Sequence, residues 1–375
     1  MSFAADMGRH SGRATPSLHD ATYRQFKEAT GGRSTNLLPI PVQTNLATSV
    51  RNLVDRDLLP LADNFPNLVL TDETLGAVRT QSEAMIVLGD ADAAGIVREE
   101  IEVPGLYDNP NVRCLVYRRK GLQSGHPAFL QIHGGGMVAN SAESSDSRNV
   151  AVAAALGVTI VSVDYRLAPE HPFPAALNDC EAALAWMHTG GLGLAIDTTR
   201  IAVGGDSAGG GIAASLCQSV RGTTLAPVFQ HLVYPMLDDR TGALGMPVDP
   251  NLGTYIWKPE HNRYGWSAYL GTADPEVASP ARSRSLAGLP PTWIGVGSLD
   301  LFLDENIEYA RRLISEGVAT ELQVYPSAFH GFPFARDAPI AARFESDYLA
   351  SLARGLGVST NWREEDWTIC QTPRP

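Results

Sequence analysis

Hydrophobic spacing divides the chain into two kinds of segment. Over residues 43–61 and again over 72–88, apolar positions recur every three or four residues, with Leu46, Val50, Leu53 and Val54 in the first run; this period predicts two helices with one buried face each. From Ile101 onward the pattern changes to short β-rich runs at 112–117, 128–132, 158–163, 200–203, 229–234, 292–296 and 321–325. Helix-like stretches at 175–188, 209–220 and 304–316 lie between them, and this alternation predicts an α/β fold with a mostly parallel central sheet flanked by helices. One interval breaks the rhythm. Between Tyr234 and Pro291 no strand is apparent, while Tyr255, Trp257, Tyr264, Trp266 and Tyr269 sit among prolines and glycines. A stretch that long inside a compact domain is usually functional, often a lid over a site.

Composition narrows the class without naming a chemistry. A chain of 375 residues can bury a full core, and 44% hydrophobic against 19% charged residues is ordinary for a globular protein. The formal net charge of -12 repels nucleic acid and anionic membrane alike. Cys114, Cys180, Cys217 and Cys370 show no metal-type spacing, so they read as free thiols of a reducing compartment, with neither a metal nor a cofactor expected. The first twenty residues lack an apolar core segment, and no run of about 18 apolar residues occurs, which makes a cytoplasmic location the expectation.

The chemistry enters at Gly205-Asp206-Ser207-Ala208-Gly209, between the run 200–203 and a helix-like stretch. A serine hydroxyl is a poor nucleophile, so it must be presented bare to a base, and small residues two before and two after let such a turn close. Upstream, the run ending at Ile132 leads into His133-Gly134-Gly135-Gly136-Met137. Ester hydrolysis generates a tetrahedral oxyanion, and consecutive glycines let backbone N–H groups converge on it without obstruction. A flexible turn rarely needs three glycines behind a histidine. Phosphate-binding patterns are not met: GxGxxG fails near Gly204 and near Gly295, and GxxxxGK[ST] is missing from the sequence.

A serine nucleophile needs a histidine base and a carboxylate to orient it, in the order Ser, Asp, His for a strand-turn-helix elbow of this kind. Asp300 follows the run 292–296, and His330 is the only histidine downstream of it. Asp304, about one helical turn beyond Asp300, competes for the acid role but also suits a helix cap. Asp238 and Asp239 come too early and read as structural or lid-anchoring.

Together these segments resemble the hormone-sensitive-lipase-like esterases, the bacterial family IV branch of the α/β-hydrolases. The likeness rests on His133-Gly134-Gly135-Gly136, on the stretch from Asp164-Tyr165-Arg166 to Pro174-Ala175-Ala176, on Gly205-Asp206-Ser207-Ala208-Gly209, and on Asp300 to Glu305 with His330-Gly331-Phe332. Ser327 departs from the commonest family pattern, where a glycine is usual. The resemblance implies Ser207 as nucleophile, His330 as base, Asp300 as orienting acid, and Gly135, Gly136 and Ala208 as oxyanion donors. It further implies a cap built from the N-terminal helices and an insertion after a central strand, and short to medium acyl chains.

The expected organisation is an arm at 1–36, N-terminal cap helices at 37–98, a catalytic core at 99–236 and 286–356, a cap insertion at 237–285 and a tail at 357–375. Met137 and Phe329, which adjoin the catalytic loops, are expected pocket walls, with Asp206 and Trp257 as further substrate contacts; Tyr264 and Trp266 read as lid packing. The expected partner is a small-molecule ester, with no nucleic acid and no stable membrane insertion; a homodimer is compatible with the sequence, which does not fix the oligomeric state. The same triad serves amidases, thioesterases and lactonases, since it does not choose the leaving group. A non-catalytic receptor on this fold is the remaining alternative, and it would have no need of His330.

Overall fold

The computed structural model describes residues 50–359, apart from 68 and 248. The expected arm, residues 37–49 of the region that follows, and residues 360–375 with Cys370 lie outside the described residues.

Eight strands build one sheet: β1 (Ile96–Val103), β2 (Val112–Arg119), β3 (His126–Ile132), β4 (Thr159–Val163), β5 (Ile196–Asp206), β6 (Phe229–Val233), β7 (Thr292–Gly297) and β8 (Thr320–Tyr325). Their spatial order is β1-β2-β4-β3-β5-β6-β7-β8. Only β2 runs against its neighbours β1 and β4, and every other pairing is parallel. Each expected strand is present. β1 is an addition: its Arg98, Glu99, Glu100 and Glu102 hide the alternation, and as an edge strand it buries little beyond Ile96 and Val103, which is where charge is tolerated.

The described helices are α1 (Leu59–Asn64), α2 (Leu75–Ala84), α3 (Asp146–Leu156), α4 (Ala175–His188), α5 (Ala208–Ser219), α6 (Pro259–Leu270), α7 (Leu303–Ser315) and α8 (Pro339–Leu356), with a single turn at Pro275–Ala278. Ala128, Leu130 and Ile132 of β3 face a core shared with α4, α5 and α7, whereas Phe129 faces a second core shared with α3 and α8. Burial on both faces is why the central strands read as continuous apolar runs.

The first expected helix, 43–61, is not one helix in its described part. Asp55 accepts a hydrogen bond from the Asp57 N–H, and Pro60 sits in the first turn of α1. Both features start a helix rather than continue one. The second expected helix shortens to α2. Between β6 and β7 the described residues contain no strand, as expected, and α6 fills the middle of the interval. Cys114, Cys180 and Cys217 are buried free thiols. Among the described residues, no helix is long and apolar enough to cross a membrane.

Candidate active site

Ser207 occupies the one-residue link between β5 and α5, with φ 57° and ψ -118°. That backbone region is unfavourable for a side-chain-bearing residue and persists only where its surroundings enforce it. Here they do: the Ser207 N–H donates to the Val233 carbonyl at 2.9 Å, and the Ser207 carbonyl accepts from Gly211 and Met236 at 3.1 and 2.9 Å. The flanking glycines are steric necessities. A methyl group on Gly205 would lie 2.3 Å from the Ile132 carbonyl oxygen, and one on Gly209 would lie 2.1 Å from the same atom.

The loops after β7 and β8 bring His330 and Asp300 together. The His330 Nδ1–H donates to Asp300 Oδ2 at 2.9 Å, which leaves the lone pair of the ring on Nε2. Asp300 is fully buried, and its other oxygen accepts from the Phe302 N–H at 2.9 Å. Asp304, the competing acid, is exposed on α7. The His330 ring is further held by Tyr234, with centroids 4.5 Å apart, and by the edge-on Phe302 at 5.2 Å.

The glycine loop after β3 folds back on itself. Gly135 and Gly136 have φ 114° and 63°, and the Gly135 carbonyl accepts from Val138 and Ala139 at 3.1 and 3.0 Å. His133 donates from Nδ1 to the Gly134 carbonyl at 2.7 Å, while burial pushes its pKa down and keeps the ring neutral. Tyr165 stacks on that ring at 4.1 Å and donates to the His133 carbonyl at 3.0 Å. Ala208 is the first residue of α5, where an N–H has no partner within the helix.

These parts open on one cavity of about 410 Å³, whose lining includes Gly135, Gly136, Asp206, Ser207, Trp257 and His330. Segments outside the sheet close it from two directions: Leu61, Val78 and Met85 from the N-terminal side and Ile256, Trp257 and His261 from the 237–285 interval. Trp257 covers the glycine loop so closely that a methyl group on Gly136 would meet its ring at 2.2 Å. Trp266 is buried, and Tyr264 donates to Asp72 at 2.9 Å.

Two expected walls are corrected. Met137 and Phe329 lie outside the lining of the cavity. Met137, at φ 65°, is buried in the core near Gly211, and Phe329 is buried beside Tyr255 with ring centroids 5.2 Å apart. Adjacency in sequence to a catalytic loop does not fix the direction of a side chain, and both of these turn into the core.

Residues 129–334 match the family described as alpha/beta hydrolase fold. The carboxylesterase NlhH of Mycobacterium tuberculosis is 36% identical over 324 residues, 82% of this chain and 98% of its own. The chain belongs to the hormone-sensitive-lipase-like esterases. An ethyl acetate hydrolase of Pseudomonas putida is 32% identical over 212 residues, 55% of this chain and 65% of its own. The solved structure of a bacterial heroin esterase is 36% identical with a TM-score of 0.74, covering 81% of this chain and 98% of the other. The protein is a carboxylesterase-type hydrolase on an α/β-hydrolase fold.

Several contributors to the esterase site went unread in the sequence. Tyr234 lines the cavity beside His330; its one signal is a tyrosine at the carboxyl end of a central strand, where sites of parallel sheets gather. Arg79 of α2 donates to the Val138 carbonyl at 2.7 Å and pairs with Glu170 at 2.7 Å. Arg148 binds Asp206 at 2.5 Å and Glu345 at 2.8 Å. Isolated arginines carry no pattern that would have marked them. Arg166 pairs with Asp179, and Asp238 and Asp239 pair with Arg240 and Arg282.

Proposed function

We propose that this enzyme hydrolyses carboxylic esters through an acyl-enzyme intermediate on Ser207, with His330 as general base and Asp300 as its orienting partner. The observation that carries the reading is the His330–Asp300 bond of 2.9 Å, on a ring that shares one cavity with Ser207. His330 Nε2 takes the hydroxyl proton as Ser207 Oγ attacks the carbonyl carbon. The backbone N–H groups of Gly135, Gly136 and Ala208 stabilise the oxyanion. Collapse expels the alcohol, which leaves with the proton from His330; water then enters by the same route in reverse and frees the acid.

Short to medium acyl esters are the substrates this reading favours. A cavity of about 410 Å³ suits small ligands, and a relative's name specifies ethyl acetate. The N-terminal helices and the 237–285 insertion act as a cap that keeps water from the reacting carbonyl.

A p-nitrophenyl acyl series from acetate to decanoate, read with a serine-directed phosphonate and Ser207→Ala, tests this. The expected outcome is turnover highest at short to medium chains, label on Ser207, and a loss of about 10³-fold or more in kcat for the variant. Turnover by Ser207→Ala at the wild-type rate, or label on another residue, would overturn the mechanism.

A further inference from the structure

The cavity that holds Ser207 is not apolar throughout. Away from Leu61, Val78 and Met85, its lining includes Ser147, Arg148, Asp206, Arg336 and Glu345. Two arginines and two carboxylates could form a closed neutral cluster of structural charge only, but their hydrogen bonds divide them unequally.

Arg148 is used up. Its Nη1 binds Asp206 at 2.5 Å, its Nη2 and Nε bind Glu345 at 2.8 and 3.2 Å, and its guanidinium lies over the rings of Tyr348 and Phe344 at 5.2 and 5.6 Å. Arg336 is placed otherwise. Its Nη2 donates to the Ser147 hydroxyl at 3.1 Å, and among the described residues no carboxylate oxygen lies within ion-pair distance of it. A guanidinium carries five N–H donors, so most of this fork remains to be satisfied by solvent or by a ligand. Arg336 is exposed to solvent at the rim of the cavity; desolvation of its inner part and the nearby Arg148 charge lower its pKa, with Glu345 opposing. Ser147 is the second residue of α3, directly after the buried Asp146.

Arg336 also belongs to the catalytic loop. It follows His330 by Gly331-Phe332-Pro333-Phe334-Ala335, and Gly331, Pro333 and Phe334 line the cavity with it. Any group of a bound ester that reaches this side meets a planar donor fork whose geometry matches a carboxylate.

We infer that Arg336 is a specificity-determining residue that binds a carboxylate carried by the ester substrate, on its acyl or its alcohol portion. This rests on the reading of Ser207 as nucleophile. A carboxylate gains two charge-assisted bonds there, whereas an alkyl chain of equal length leaves the donors to water. Arg148 holds both Glu345 oxygens and Asp206 Oδ2, which limits their repulsion of the anion, while Asp206 Oδ1 has no hydrogen-bond partner among the described residues.

The test compares matched substrates in the wild type, Arg336→Gln and Arg336→Lys. For the acyl side, p-nitrophenyl hemisuccinate, hemiglutarate and hemiadipate are set against p-nitrophenyl butyrate, pentanoate and hexanoate, with the uncatalysed rate subtracted. For the alcohol side, 4-acetoxybenzoate is set against phenyl acetate. In at least one pair, the ratio of kcat/KM for the acid over its neutral partner is expected to fall tenfold or more in Arg336→Gln and less in Arg336→Lys. Circular dichroism and phosphonate labelling of Ser207 certify that the variants fold, and the neutral ester serves only as the denominator of each ratio. The side on which the ratio falls tells acyl from alcohol recognition. Ratios unchanged within twofold in every pair, or an equal loss on acids and neutral esters, would overturn the role of Arg336. Absence of neutral-ester turnover and of Ser207 labelling in the wild type would instead remove the nucleophile reading on which it rests.

Discussion

His330 Nδ1 stands 2.9 Å from Asp300 Oδ2, and the second oxygen of Asp300 is tied to the Phe302 N–H at the same distance. Both carboxylate oxygens are therefore committed, one to orienting the ring and one to the backbone that carries the acid. Asp300→Asn keeps the shape but offers an amide, whose N–H₂ facing the ring would favour the tautomer with its lone pair on Nδ1, away from Ser207. The expected result is a fall in kcat of about 10³- to 10⁴-fold with KM changed by no more than about threefold. Steady-state kinetics on p-nitrophenyl acetate checks it; a fall below tenfold would mean that Asp300 does not set the tautomer.

Gly265 of α6 makes a second, less obvious demand on the site. A methyl group there would lie 2.8 Å from the Gly136 carbonyl oxygen, so Gly265→Ala must displace either α6 or the loop that presents the oxyanion donors. Losing one such donor costs about 10²- to 10³-fold in kcat, and a displaced one should cost about tenfold or more with KM nearly unchanged. Gly76→Ala on α2, where a methyl group would enter open space, is the control and should leave kcat as it is. Equal kinetics for the two variants would show that α6 does not hold the loop.

Much of this arrangement was legible in the sequence because it rests on short-range rules. Ser207 needs glycines two before and two after it, and the carbonyl oxygen of Ile132 gives the reason in space. His330 is the sole histidine after Asp300, so chain order alone singles it out as the candidate base. The edge strand β1 was hidden by charges that an edge permits, and helix α3, rich in alanine, offered no apolar stripe of its own. Met137 and Phe329 were misplaced because a residue's direction depends on the loop's φ and ψ, which motif adjacency does not encode. Arg148, Arg79 and Arg336 act through partners far away in sequence, which no local pattern announces.

His231 of β6 lies inside the core, its ring stacked on Trp293 at 4.5 Å and its Nε2 paired with the Ser351 hydroxyl at 2.9 Å. Burial pushes its pKa down to about 3. The unfolded chain takes up a proton at this residue below about pH 6.5, whereas the folded protein does so only near the depressed value. The contribution is therefore intact above about pH 6.5 and is lost as pH falls from there toward 3, with a slope of at most about 1.4 kcal/mol per pH unit. Urea unfolding between pH 7.5 and 4.5 should show a shallower decline for His231→Gln than for the wild type, although the variant starts less stable. Coincident slopes would show that His231 titrates alike in both states.

Arg79 joins α2 to the end of the glycine loop. Its Nε donates to the Val138 carbonyl at 2.7 Å, its Nη2 to the Ala168 carbonyl at 3.0 Å, and both terminal nitrogens meet Glu170 at 2.7 Å. Four contacts from one side chain tie an N-terminal helix to two loops beside the cavity, and a lysine, with a single nitrogen, cannot reproduce them. The two carbonyl bonds matter most, since Glu170 is mostly exposed and its pair with Arg79 is screened. Arg79→Met should lower kcat/KM by about tenfold and speed proteolytic cleavage before β1, and Arg79→Lys should recover only part of either. Glu170→Gln, which spares the carbonyl bonds, should stay within about threefold of the wild type. If Glu170→Gln instead matched Arg79→Met, the clamp would act through the ion pair and not through the loop backbone.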